Sequence, residues 1–443
     1  MATAQEFTQL TGFDYMARIL VVHHSTQWPL RTTIADHLYC FERHSSHRVL
    51  YLNIGVRGLN TVLLRQPFDL IIFHTTFLSQ RAWNPETFAE TCQRLEPLRR
   101  LPVAKAALPQ DEFLNTDLLC DFINDFGVQH VFSVMPEREW PNIYHKVDRS
   151  RVRIHRVLTG YLEDATLARI EHMRARIQDR PIGIGYRSWH AAYWLGRHGQ
   201  LKVRVAEMFQ EHAPSKGIAC DISTRAGDTF FGDSWYEFLL KSRYTIGVEG
   251  GASILDRDGT LKRKTEVFLK EKPRASFEET EAQCFPGLDG SAELFAISPR
   301  HLEACATSTC QVLIDGEYNG ILKAGDHYIA LKRDFSNLDD VLESISSDRM
   351  RAGICARAYR DIVVSGKYTY LAFVQQVLGA ALPASAASDA RPTDVLRYRY
   401  NKVLEALCRP RFACEQFMLR VLRFLVPKPF RSFLRRMQRL GGR

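Results

Sequence analysis

The chain has 443 residues, 45% hydrophobic and 25% charged, with a formal net charge of +9. That length exceeds one ordinary core and fits two compact lobes plus an extension, and no apolar run is long enough to cross a bilayer. Ten cysteines, with no C-x-x-C pair and no matched histidine spacing, count against both a zinc site and a disulfide framework.

The opening stretch, MATAQEFTQLTGFDYMARIL, carries Glu6 and Asp14 before any apolar residues gather. It lacks the basic start and apolar middle of a secretory signal, so a cytoplasmic location is expected. Residues 18–24, RILVVHH, are a short apolar run followed by polar residues, and VLYLNIG and FDLIIFHTT repeat the design. VAKAALPQDEF and VQHVFSV continue the spacing, with amphipathic stretches such as TDLLCDFINDFG between them. Strands alternating with helices predict an α/β lobe built on a doubly wound, Rossmann-like parallel sheet, over residues 1–165. Ligands of such sheets sit at the carboxyl ends of the strands, which here carry His23, His24, His74, Asp111 and Glu112.

A second alternating series starts at PIGIGYR and runs through KGIACDIS, SRYTIGVEGG, ELFAIS and CQVLIDGE. It predicts a second lobe of the same kind over 166–379, the two facing a cleft. Residues 380–392, AALPASAASDARP, read as a flexible linker.

From Arg391 to the end there are fourteen Lys or Arg against three acids, leaving the first 390 residues two charges negative. The body is thus nearly neutral and residues 393–443 form a basic tail. Its apolar residues Phe417, Met418, Val421, Leu422 and Leu425 fall at helical spacing, interleaved with Arg420, Arg423, Arg431, Arg435, Arg436 and Arg439. That is the pattern of basic amphipathic helices lying on an anionic membrane surface. A tail that binds RNA would instead lose affinity steeply with salt.

Residues 298–342 carry the most specific signal: Leu302-Glu303-Ala304, then Ser308 and Thr309, the apolar run Val312 to Ile314, Gly316-Glu317, and His327-Tyr328. This succession resembles the donor-binding half of GT-B glycosyltransferases, especially bacterial ones that make surface polysaccharide. The resemblance implies transfer of a sugar from a nucleoside-diphosphate sugar to a glycan or lipid-linked acceptor, without a bound metal or cofactor; the basic tail on a nearly neutral body points to a local contact rather than to a nucleic-acid groove. It implies that Glu303 binds the donor ribose, and a carboxylate can accept two hydroxyl protons at once. Without a metal, the leaving diphosphate needs protein cations; Arg187, at the end of IGIGYR, matches the fold's phosphate arginine in placement, with Arg300 and Lys323 beside it in the donor half. Gly250 and Gly251 offer backbone donors at a strand end. On the acceptor side Asp111 or Glu112 is the expected general base, ahead of His23 and His24.

Two other readings use the same residues. Many relatives of this kind place a glutamate eight residues before Glu303, where this chain has Phe295; a catalytically silent protein that binds a nucleotide sugar as a scaffold fits that difference. Asp256, Asp258, Gly259 and Thr260 imitate the nucleophile loop of haloacid-dehalogenase-type phosphatases, although only Ile254 and Leu255 stand where that chemistry needs a full apolar strand.

Overall fold

The computed structural model describes residues 16–26, 29–345, 347–382 and 393–407. In the first lobe β1 (Arg18–His23), β2 (Arg48–Asn53), β3 (Leu70–Phe73), β4 (Ala104–Ala107), β5 (His130–Ser133) and β6 (Arg153–Arg156) form one sheet in the order β2-β1-β3-β4-β5-β6, with every pair parallel. The apolar runs are buried along their length because helices cover both faces of a parallel sheet. The edge strand β6 escapes an apolar-run reading because arginines and a histidine flank its single isoleucine.

The second lobe holds β7 (Ile182–Arg187), β8 (Cys220–Ser223), β9 (Ser242–Gly247), β12 (Cys310–Ile314) and β13 (Ile329–Leu331), in the parallel order β13-β12-β9-β7-β8. The chain is therefore α/β with two doubly wound sheets, the arrangement that the resemblance implies. ELFAIS, expected as a further parallel strand, is instead β11 (Leu294–Ala296), antiparallel to β10 (Gly250–Ala252) in a separate two-stranded sheet. Gly251 makes that pairing possible. Its φ is 122°, and a Cβ there would lie 1.9 Å from the carbonyl oxygen of Leu294.

This two-stranded sheet joins the lobes rather than extending either large sheet. Ala252 and Leu294 pack into the first-lobe core together with Trp194. Asn115 donates its backbone N–H to the Asp256 carbonyl at 2.8 Å, and Asp256 donates to that of Phe113 at 2.9 Å. Arg138 of the first lobe pairs with Glu293 and Glu317 of the second at 2.8 and 2.7 Å, and Thr159 donates to the Ile297 carbonyl at 2.6 Å.

The chain also crosses back. Helix Tyr370–Ala381, capped by Thr369, packs Phe373 against His37, Phe41 and Tyr161 and belongs to the first-lobe core. That moves the end of the second lobe from the expected residue 379 to about Thr369, and residues 380–381 are helical rather than linker. Residues 383–392 of the expected linker lie outside the described residues, as do Cys408, Cys414 and the tail arginines Arg420, Arg423, Arg431, Arg435, Arg436 and Arg439.

Candidate functional site

Between the lobes lies a cavity of about 690 Å³. Strand order reverses between β1 and β3 in one sheet and between β7 and β9 in the other, and the cavity opens at the carboxyl ends of β3, β7 and β9. His74, Thr75 and Thr76 line it from the first lobe, and Trp189, His190, Gly250 and Gly251 from the second. Doubly wound sheets bind ligands at this switch point because the flanking loops diverge there.

Asp111 reaches the cavity from the loop after β4. Its backbone is left-handed, with φ 52°, a conformation an L residue holds only when its surroundings impose it. The fully buried Arg81 supplies that restraint, donating to the carbonyls of Leu78 at 2.8 Å, Gln110 at 3.0 Å and Asp111 at 3.0 Å. Asn115 returns a hydrogen bond to the Arg81 carbonyl at 2.7 Å. Each of those carbonyls would cost about 1–3 kcal/mol if left buried and unpaired, so the loop and its carboxylate are held firmly. Burial raises Asp111 above the usual carboxylate range, opposed by the charges of Arg81 and Lys202.

Lys202 faces it from the opposite lobe. Helix Arg197–His212 buries His198, Leu201, Val205, Ala206 and Phe209, and Lys202 shares that inner side and lines the cavity. Desolvation, reinforced by the nearby charge of Arg300, lowers the ammonium to about 8, with Asp111 pulling the other way. A lysine held among apolar groups makes an unusually strong partner for an anion that enters beside it.

His74 and His37 form a third element. The Thr76 backbone N–H donates to Nδ1 of His74 at 3.2 Å, so the His74 hydrogen sits on Nε2 and is donated to Nδ1 of His37 at 2.8 Å. The His37 hydrogen is therefore on Nε2. Burial holds His37 neutral, near 4, and His74 well below its ordinary value. Exposed tryptophans frame the cavity: Trp83 of the first lobe and Trp189 of the second.

Several expected site residues fall elsewhere. Glu112 follows Asp111 but points into the first-lobe core, where it accepts from Ser133 at 2.5 Å, from the Val134 N–H at 3.3 Å and from the Tyr144 hydroxyl; burial raises it to about 7. His23 packs against Tyr51 and Ser25, and His24 donates its N–H to Thr76; neither lines the cavity. Arg187 is buried with its guanidinium turned back onto Asp221 at 2.7 Å and onto the carbonyls of Tyr186, Asp221 and Asp228, beneath the rings of Phe230 and Phe238. It braces β7 against β8 instead of opening toward the cavity. Arg300, at the start of helix Pro299–Ala306, donates to the Arg187 carbonyl at 3.0 Å. Ser298 and Pro299, at the same helix start, line the cavity. Glu303, one turn on, accepts from Trp235 Nε1 at 2.7 Å; burial raises it, and it does not line the cavity. Glu317 is an interlobe tie through Arg138, and Lys323 is exposed on a loop away from the cavity.

Asp256 and Asp258 serve the helix Thr260–Glu271: Asp256 accepts the Lys262 N–H at 2.8 Å, and Asp258 the Thr260 N–H and hydroxyl at 2.9 and 2.8 Å. Carboxylates spent on a helix start are poorly placed as phosphatase nucleophiles. Among the described residues, no group of three His, Cys, Asp or Glu side chains converges to hold a metal ion. The sequence reading missed Lys202, His37, Trp83 and Trp189. For Lys202 a signal was present, since a lysine on the apolar face of an otherwise ordinary helix is a candidate for function.

No protein-family model matches the chain, and no curated protein matches it significantly. Among solved structures it is similar to Anabaena HepE in complex with UDP-glucose, at 8% identity over 82% of this chain and 98% of that one, with a TM-score of 0.44. It is similar to sucrose-phosphate synthase from Thermosynechococcus elongatus at 8% identity over 82% and 97%, with a TM-score of 0.46. AviGT4, a glycosyltransferase involved in avilamycin A biosynthesis, aligns at 10% identity over 86% and 97%, with a TM-score of 0.42.

Proposed function

We propose that the protein transfers a sugar from a nucleoside-diphosphate sugar to the hydroxyl of a glycan or lipid-linked acceptor. The observation that carries this reading is the opposition of Lys202 and Asp111, one from each lobe, across a single cavity at both switch points. The diphosphate lies against Lys202 and the start of helix Pro299–Ala306, the end of that helix that favours negative charge. As the glycosidic bond breaks, the charge that develops on the diphosphate meets the Lys202 ammonium, so no metal is required. Asp111 takes the proton of the acceptor hydroxyl. Gly250 and Gly251 let the donor sugar approach the backbone closely. Glu303, which accepts from Trp235 and does not line the cavity, is given no contact with the donor in this reading. The basic C-terminal stretch holds the protein at the anionic inner face of a membrane, where lipid-linked acceptors reside.

A panel of uridine, guanosine and thymidine diphosphate sugars, incubated with a crude lipid-linked glycan fraction, tests the reaction. Release of nucleoside diphosphate is expected only when donor and acceptor are both present, and a chelator is expected to leave the rate unchanged. Donor binding without release under any pairing would favour the silent scaffold. Loss of release on chelation, restored by magnesium, would contradict the metal-free mechanism.

A further inference from the structure

The helix over residues 393–407 exposes more apolar side chains than it packs on the protein. Its inner side is largely polar: Asp394, Asn401 and Glu405 are buried, with Tyr398 between them packed against the first-lobe core. Glu405 accepts the backbone N–H of Tyr51 at 3.2 Å, on the open edge of β2. Lys402 pairs with Glu42 at 2.7 Å, and Arg397 donates to the Arg65 carbonyl at 3.2 Å. These contacts fix the helix on the first lobe and cover the sheet edge. The outer side is apolar: Leu396, Tyr400, Val403 and Leu407 are 65%, 49%, 56% and 61% exposed. At 100° per residue they fall within about 60° of arc, a stripe about 16 Å long, with the exposed Arg399 beside it.

We infer that this stripe is a lipid-docking surface that seats the first lobe on an anionic bilayer. Charge complementarity selects the occupant. The chain leaves the stripe directly into residues 408–443, which hold ten Lys or Arg against one acid. A second copy docked face to face would bring two such segments together, whereas an anionic surface attracts them. Lipid accepts the apolar side chains while Arg399 meets headgroups. Because the helix is anchored by Glu405 and Lys402, the contact orients the lobe rather than merely tethering it. This rests on the membrane-face reading above and names the surface responsible.

The test uses the full chain and vesicles of phosphatidylcholine with about 30% phosphatidylglycerol. The combined variant Leu396→Gln, Tyr400→Gln, Val403→Gln and Leu407→Gln alters only exposed side chains; its thermal stabilisation by a nucleoside-diphosphate sugar reports that the fold is intact. Cosedimentation of the unaltered chain, reduced about tenfold or more in the variant, is expected. A variant that cosediments like the unaltered chain would overturn the stripe alone, leaving the membrane reading. A chain that ignores the vesicles would overturn both. A change from dimer to monomer in the variant, seen by light scattering, would assign the stripe to a second copy instead.

Discussion

Replacing Lys202 by alanine is expected to lower kcat/KM about 10²- to 10³-fold and to weaken donor binding about tenfold or more, because a charge-assisted contact is worth about 1.5–3 kcal/mol. The loss should exceed that for a surface lysine, since Lys202 is desolvated in the cavity wall, which leaves its charge poorly screened. The pH dependence is a sharper signature. Donor binding requires the charged ammonium, and the free group titrates near 8. Affinity should therefore be full below that value and fall as pH rises through it, a limb that disappears in the alanine variant. Calorimetric titration from pH 6 to pH 10 reads both effects. An alanine variant that keeps both the affinity and the alkaline limb would show that another cation holds the phosphates.

Asp111→Asn should have the opposite pattern. The amide is nearly isosteric and keeps the loop held by Arg81, but it cannot take a proton, so kcat is expected to drop about 10²- to 10⁴-fold while donor affinity changes little. Burial raises Asp111 above the ordinary carboxylate range, and the base form is the deprotonated one. Activity should accordingly rise with pH along an acid limb displaced upward from that of an exposed aspartate, be full above it, and be lost again as Lys202 deprotonates near 8. The resulting bell belongs to two groups on different lobes, and each variant should remove one side of it. Equal loss of donor affinity in Asp111→Asn would instead place this carboxylate in donor binding.

The parts of this arrangement that were legible in the sequence share a physical cause. β1, β2 and β3 are buried on both faces, so they appear as continuous apolar runs, and His74, just after β3, falls at the binding edge. β6 and β13 did not appear, one because it is an arginine-rich edge and the other because it is three residues long. Parity explains Asp111 and Glu112. Adjacent residues leave the backbone in different directions, so one enters the cavity and the other the core, and composition alone does not say which. Arg187 looked like a phosphate ligand because it ends a strand. Its partner, Asp221, is on the neighbouring strand β8 and 34 residues away, a contact only the sheet pairing reveals. The return of helix Tyr370–Ala381 to the first lobe was hidden for a similar reason. Its apolar residues suit either core, and the contact of Phe373 with His37 and Tyr161 decides between them.

The donor's phosphates are expected to bind at Lys202 inside the interlobe cavity. Diffraction from crystals soaked in a nucleoside-diphosphate sugar measures this most directly. Phosphate oxygens about 3 Å from Lys202 Nζ, at the start of helix Pro299–Ala306 and across from Asp111, are the predicted result. Phosphates bound at Arg187 or on the outer surface, with Lys202 left facing Asp111 alone, would contradict it.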